Sequence, residues 1–254
     1  MTFDCSGRIA LVTGASSGIG RRFAGLLAAR GAKVVIAARR IDLLDTLRQE
    51  IEDAGGAALA VAMDVADEPS VIAAYDAAER AFGVVDTVIA NAGMNAAGSA
   101  LGVGADAFDR MLSVNVRGVF LTAREGARRM VAAGSAATAR GRIVLISSIT
   151  GAWVPSGTAG YAATKAAVNQ MGRALAKDWA GKGVNVNVLA PGYMATELTD
   201  TMWELPMGQK LLAEFPRRRI MSASALDPML LYLASDASAE VTGSIMTIDD
   251  GQTL

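Results

Sequence analysis

The feature that most constrains this chain is an alternation of short apolar runs with segments of helical periodicity. The runs are Ile9 to Val12, Val34 to Ile36, Val84 to Ile89, Ile143 to Ile146, Val184 to Leu189 and Ile245 to Ile248, most of them β-branched. Segments that are apolar at consecutive positions suit parallel strands covered by helices on both faces. With Ala57 to Met63 as a weaker further strand, the pattern predicts an α/β fold built on a doubly wound parallel sheet of about seven strands. At 254 residues, 52% of them hydrophobic, the chain can bury one sizeable core, and a single domain is expected. The small-residue stretch Ala132 to Arg140 lies between a helix and a strand of the same sheet and reads as a loop, not a boundary.

Composition removes several kinds of chemistry. There is no histidine, so Ser-His-Asp catalysis, histidine-ligated zinc and histidine acid/base chemistry are all excluded. The lone cysteine, Cys5, cannot pair within the chain, and no paired-cysteine metal spacing exists. With 24 basic and 25 acidic residues the formal charge is -1, which gives no electrostatic footprint for nucleic acid or an anionic membrane. The start, MTFDCSGRIA, lacks a basic region followed by an apolar one, and no apolar stretch reaches the length of a membrane span. The expected partner is a small molecule and the expected location the cytoplasm, with no nucleic acid and no membrane.

A glycine-rich turn follows the first strand: Thr13-Gly14-Ala15-Ser16-Ser17-Gly18-Ile19-Gly20, leading into the amphipathic segment Arg21 to Arg30. Glycines let the backbone approach a ligand, and a helix N-terminus presents N–H groups and a positive dipole end to a pyrophosphate. Gly14, Ser16, Ser17, Gly18, Ile19 and Gly20 are therefore candidate cofactor contacts. An NAD enzyme would place a carboxylate at the end of the second strand, on the ribose 2′-hydroxyl. Ala38 stands there instead, followed by Arg39, whose guanidinium suits a 2′-phosphate. NADP (NADPH) is expected, with NAD as the alternative, and Arg40 reads as a solvated start to the next helix.

Tyr161 and Lys165 stand four apart in YAATK on a predicted helix, which puts both side chains on one face. An ammonium beside a phenol favours the phenolate, so the pair can carry proton transfer. Ser148, after the strand that ends at Ser147, lies at the carboxyl edge where open α/β sheets bind ligands; Ser147 is expected to act as a cap.

Taken together these residues resemble the short-chain dehydrogenase/reductase family, from Gly7 to Gly251. TGASSGIG matches the family's cofactor turn, Asp64-Val65 its adenine-side pair, and Asn91-Ala92-Gly93 the segment beside the cofactor. Asn115, Ser148, Tyr161 and Lys165 match its catalytic tetrad, and Pro191, Gly192 and Thr196, with Met194 between them, its nicotinamide stretch. The resemblance implies a Rossmann-type enzyme that interconverts a ketone and a secondary alcohol. Tyr161 would be the acid/base, Ser148 would orient the carbonyl, Lys165 would bind the nicotinamide ribose and lower the tyrosine pKa, and Asn115 would support a proton relay. Cofactor contacts would include Gly14 to Gly20, Arg39, Asp64, Val65, Asn91, Gly93, Tyr161, Lys165 and the Pro191 to Thr196 stretch. The chain departs from the pattern at Ala90, at Met194 and at the ending Asp249-Asp250-Gly251-Gln252, where the family has a double glycine.

The resemblance also implies a homo-oligomer, tetramer or dimer, through Asp106 to Ala133 and Tyr161 to Lys182, and a mobile substrate lid at about 197–215. The lid's apolar residues (Met202, Trp203, Leu205, Met207, Leu211, Leu212 and Phe215), with Trp153 and Tyr193, suggest a hydrophobic or aromatic carbonyl substrate. One alternative is a 3-oxoacyl thioester reductase that uses Arg128, Arg129, Lys210 or Arg217 to Arg219 to meet an acidic carrier. Others are a dinucleotide-sensing protein without turnover and a docking protein.

Overall fold

The computed structural model describes residues 3–96, 98–194 and 203–254. Seven parallel strands form one sheet in the order β3-β2-β1-β4-β5-β6-β7. They are β1 (Ile9–Thr13), β2 (Lys33–Ala38), β3 (Ala57–Ala62), β4 (Thr87–Ala90), β5 (Gly141–Ile146), β6 (Val184–Pro191) and β7 (Ile245–Ile248). The larger helices are α1 (Gly18–Ala28), α2 (Ile41–Asp53), α3 (Glu68–Ala81), α4 (Ala105–Leu112), α5 (Val119–Ala132), α7 (Ala159–Trp179), α8 (Pro206–Glu214) and α9 (Asp227–Ala234).

The period-two alternation of strand side chains divides the apolar residues between two cores. On one face, Ala10, Val12, Val34, Ile36, Ile89, Val144 and Ile146 meet Phe23 and Leu27 of α1, Leu44 and Leu47 of α2 and Leu230 of α9. On the other, Leu11, Val35, Val88, Ile143, Leu145 and Val186 meet Val71 and Tyr75 of α3, Leu121 of α5 and Val168 and Leu175 of α7. Consecutive apolar residues are thus both buried, as a doubly covered sheet requires.

Three boundaries differ from the sequence expectation. The fourth strand begins at Thr87 rather than Val84, because the Asp86 carboxylate accepts from Ile9 N at 3.3 Å and the ladder starts only beyond it. The small-residue stretch contains a single helical turn, α6 (Ser135–Thr138), whose Ser135 hydroxyl donates to Lys182 O at 2.6 Å. The fifth strand ends at Ile146, so both Ser147 and Ser148 lie beyond it.

The topology decides where a ligand can sit. β1 pairs with β2 on one side and β4 on the other, so the chain leaves the sheet in opposite directions from these strands. A crevice opens at their carboxyl ends. The glycine turn follows β1, Asn91-Ala92-Gly93 follows β4, Ser148 follows β5, and Pro191-Gly192 closes β6.

Candidate active site at the carboxyl edge of the sheet

At the start of α1 the glycines divide by function. A Cβ on Gly20 would stand 2.4 Å from Gly14 O and 2.5 Å from Asn91 Nδ2, so this glycine permits close packing of helix on turn. Gly14 (φ +68°) is packed in the same way, a Cβ there meeting Ala92 Cα at 2.9 Å. Gly18 (φ +55°) differs, because nothing lies within 4 Å of its Cβ position. Ser17, the N-cap, makes no side-chain capping bond, and no carboxylate stands in the first turn. An uncapped helix end facing open space over a glycine cradle fits a dinucleotide pyrophosphate.

Asn91 sits behind the turn rather than over it. Its Nδ2 donates to Thr13 O at 2.9 Å, while Thr13 Oγ1 accepts from Asn91 N and Ala92 N, both at 3.0 Å. These bonds tie the ends of β1 and β4 together. Asp64 is similarly occupied, its Oδ1 accepting from Ala66 N at 2.9 Å, and the buried Val65 side chain packs where a Cβ on Gly118 would lie. Arg39 is exposed and makes no hydrogen bond or ion pair with a described residue. Arg40 is the residue that reaches the turn, donating to Ser16 Oγ at 3.0 Å and Ser17 Oγ at 3.1 Å. The sequence reading missed this contact, since nothing in local spacing reveals which of two adjacent arginines turns inward.

The four tetrad residues converge. Asn115 lies in a π-helical segment, Ser113–Gly118, and is fully buried. Its Oδ1 accepts from Met94 N at 2.8 Å and its Nδ2 donates to Met94 O at 2.8 Å and Thr164 Oγ1 at 3.1 Å. Thr164 Oγ1 in turn donates to Tyr161 O at 2.7 Å, so Asn115 is linked through one side chain to the first turn of α7. The Asn115 side-chain oxygen and amide are thus both engaged within the chain.

Ser148 is held by the short 3-10 turn Ile149–Gly151, where its Oγ accepts from Thr150 N at 3.2 Å. The cap role therefore falls to Ser148 and not, as the sequence suggested, to Ser147, whose hydroxyl donates to Lys165 O at 3.1 Å. Gly151 lets this turn lie against α7, since a Cβ would meet Asn169 Nδ2 at 2.6 Å and Lys165 O at 3.0 Å. Ser148 thereby stands near enough to Tyr161 for its hydroxyl to favour the phenolate.

Lys165 is buried, and its Nζ donates to Ile146 O at 3.0 Å. Burial pushes its ammonium down to about 8. Burial also pushes the Tyr161 phenol up to about 12, against the lowering influence of the Ser148 hydroxyl, and the neighbouring Tyr193 adds to the rise. The sequence led to the opposite expectation, a phenol lowered by the ammonium. Desolvation dominates at both groups and drives them toward neutrality.

On the β6 side, Gly192 N donates to Ile248 O at 2.8 Å, and Met194 is buried, bridging to Met221. Tyr193 packs edge-on against Trp203 (5.5 Å) and stacks on Phe215 (5.9 Å). Trp203 and Phe215 are themselves buried, whereas Leu205 is exposed. Thr196, and the first part of the expected lid with Met202, lie outside the described residues, as does the side chain of Met207. No described helix is long and apolar enough to cross a membrane.

Comparison with known proteins agrees with this geometry. Residues 8–205 match the family described as short chain dehydrogenase. The galactitol 2-dehydrogenase (L-tagatose-forming) of Cereibacter sphaeroides is 39% identical over 99% of this chain and 97% of its own. The cis-4-hydroxycyclohexanecarboxylate dehydrogenase of Sinomonas cyclohexanicum is 38% identical over 97% of this chain and 96% of its own. Among solved structures, a gluconate 5-dehydrogenase from Burkholderia cenocepacia in complex with NADP and tartrate superposes with a TM-score of 0.92 at 34% identity, covering 99% of this chain and 97% of that one.

Proposed function

The chain belongs to the short-chain dehydrogenase/reductase family, oxidoreductases of CH–OH groups, and on that premise we propose that it is NADP(H)-dependent, with Tyr161 as its acid/base. The observation that carries this reading is the convergence of Ser148 and the Tyr161 phenol on the buried Lys165, whose Nζ lies 5.6 Å from the phenol ring centre. A nicotinamide held here would supply the hydride in reduction and accept it in oxidation. The chain's own part is to hold the carbonyl and move one proton. Thr150 N–H occupies a lone pair of Ser148 Oγ, which leaves the hydroxyl free to donate to a substrate oxygen. The same oxygen takes the Tyr161 proton as the carbonyl becomes an alcohol, and returns it in the reverse direction. A neutral phenol is the required form for reduction, and its burial keeps it neutral. Gly14, Ser16, Ser17, Gly18, Ile19 and Gly20 would hold the pyrophosphate, Arg39 a 2′-phosphate, and Asp64-Val65, Gly93 and the stretch from Pro191 through Thr196 the rest of the cofactor.

For the substrate we favour a carbonyl with a hydrocarbon body, approached from the side of Trp153, Tyr193 and the expected lid. Support comes from the aromatic group Tyr193, Trp203 and Phe215 and from the alicyclic hydroxy acid in one relative's name. A second reading, polyols or sugar acids, is favoured by the names of the galactitol and gluconate relatives. The carrier-bound thioester reading has less support. Arg128 pairs with Glu125, Arg129 with Asp76, Glu79 and Glu125, and Arg217 and Arg219 with Asp250. NADPH oxidation across ketones of increasing chain length, galactitol and gluconate in the reverse direction, and a 3-oxoacyl thioester separates the three. A polyol that outperforms every ketone would contradict the hydrocarbon reading.

The expected homo-oligomer has a matching surface, a groove of about 430 Å³ lined by Leu112, Ser113, Val116, Arg117, Phe120 and Met171. Light scattering that returned a monomer, unchanged by Phe120→Glu, would contradict an interface there.

A further inference from the structure

The ending Asp249-Asp250-Gly251-Gln252 contains no double glycine, and the structure gives its side chains specific partners. Asp249 folds the tail on itself: its Oδ1 accepts from Gly251 N at 3.0 Å, and its Oδ2 accepts from Thr253 N at 3.1 Å and Thr253 Oγ1 at 2.6 Å. The folded tail then makes two attachments. Gln252, 4% exposed, lies along Tyr193, its Oε1 accepting from Tyr193 N at 2.7 Å and its Nε2 donating to Tyr193 O at 2.9 Å. The fit is tight, since a Cβ on Gly192 would stand 2.5 Å from Gln252 Oε1 and 2.7 Å from Asp249 Cα. Asp250 makes the second attachment. Arg219 grips its carboxylate through Nε at 2.7 Å and Nη2 at 3.2 Å, and Arg217 Nη1 stands 3.1 Å away.

The backbone is bent to make this second attachment. Among the described residues three non-glycines have positive φ, and two of them, Arg218 (+46°) and Asp250 (+55°), stand on opposite sides of it. Left-handed backbone at non-glycine positions persists where surrounding contacts enforce it. The segments attached are the two that flank the aromatic group. Tyr193 stacks on Phe215, Tyr193 O also accepts from Met221 N at 3.2 Å, and 217–219 follows directly on Phe215.

We propose that the C-terminal tail governs substrate affinity, with Gln252 and Asp250 as positioning residues that hold Tyr193 and, packed on it, the 215–221 segment. The proposal rests on the reading of Tyr161 as the centre of a carbonyl-reducing site. Asp250 is attached to Arg217 and Arg219 and not to the glycine turn or the 191–194 stretch, so cofactor affinity should not depend on it, whereas Gln252 lies against Gly192 in the expected nicotinamide stretch.

Asp250→Gly is the informative variant, because glycine accepts φ +55° without strain while the carboxylate is lost. The expected result is an unchanged or higher melting temperature, an NADPH affinity equal to wild type, and a KM for the best ketone raised about two- to fivefold, more than kcat falls. Arg219→Ala should give the same change, and combining the two should add little. Asp250→Asn, which keeps an oxygen acceptor and tolerates the left-handed conformation, should recover part of the loss. Gln252→Ala removes two bonds and should raise KM about tenfold. Hydrogen exchange reads the same proposal without turnover: Gln252→Ala should speed exchange in the peptide containing Tyr193, and Asp250→Gly in peptides covering 215–221. Unchanged exchange in both variants overturns the proposal, as does faster exchange with an unchanged KM. Loss of all ketone turnover in wild type would instead strike at the carbonyl-reducing reading, while the exchange result still decides whether the tail holds these segments.

Discussion

Lys165 Nζ lies 5.6 Å from the centre of the Tyr161 ring, yet its hydrogen bond runs to Ile146 O at 3.0 Å. The lysine is therefore anchored to the end of β5, beneath the phenol, and held there whether or not the phenol is ionised. Its charge is poorly solvated, which has a consequence for stability.

With a folded pKa of about 8 against an ordinary 10.5, Lys165 binds fewer protons in the folded than in the unfolded state between those values. Lys165 should therefore contribute a rise in stability with pH from about 8 to 10.5, as the cost of the buried charge is relieved, by up to about 3 kcal/mol, opposed above pH 9 by Cys5, whose thiol burial pushes up to about 11. Tyr161 acts in the opposite sense only above pH 10, where its raised pKa makes the folded state retain a proton the unfolded state releases. Urea unfolding of the cofactor-free protein at intervals from pH 7 to 10 checks this against Lys165→Met, whose curve should lack the rise. Parallel curves would show that Lys165 is not titrating in this range.

The two glycine substitutions at the cofactor turn should separate packing from binding. Gly20→Ala drives a methyl into Gly14 O and Asn91 Nδ2, and should destabilise the protein by about 1–3 kcal/mol. Gly18→Ala meets nothing within 4 Å and should cost only about 1 kcal/mol for its left-handed backbone, while strongly weakening NADPH where the dinucleotide would lie. Thermal melting with and without NADPH distinguishes them. A wild-type melting temperature for Gly20→Ala would contradict the packing account.

Arg39 and Arg40 should differ in the same kind of test. Arg39→Ala should weaken NADPH by about one to two powers of ten and NADH little, since a charge-assisted contact is worth about 1.5–3 kcal/mol. Arg40→Ala releases Ser16 and Ser17 and should weaken both cofactors by a similar, smaller factor. Titration of each variant with both nucleotides is the measurement, and equal losses for Arg39→Ala would mean that it does not meet the 2′-phosphate.

Much of the fold was legible because strands covered on both faces, such as Leu11-Val12 and Val34-Val35, must be apolar at every position. The strand ends were less so: Val84 and Val85 continue an apolar run, and only the Asp86 contact to Ile9 shows where pairing begins. At the site, Tyr161 and Lys165 were readable from helical spacing and Ser148 from its place after a strand. The π-helical turn that buries Asn115 carries no local signature. Neither do the Gly151 contact with Asn169, the choice of Arg40 over Arg39 to reach the turn, or the pairing of Gln252 with Tyr193. Each of these is set by residues brought together from distant parts of the chain. The phenol was misjudged for a related reason, since its desolvation depends on burial that spacing does not report.

The central claim, that Tyr161 transfers the proton, is tested most directly by Tyr161→Phe, which keeps the ring and its packing and removes only the hydroxyl. NADPH binding by fluorescence titration and ketone reduction by loss of nicotinamide absorbance should be measured on the same preparation. The account predicts a fall in turnover of about three powers of ten or more, with the NADPH dissociation constant within about twofold of wild type. A phenylalanine variant that binds NADPH normally and retains most of its activity would contradict it.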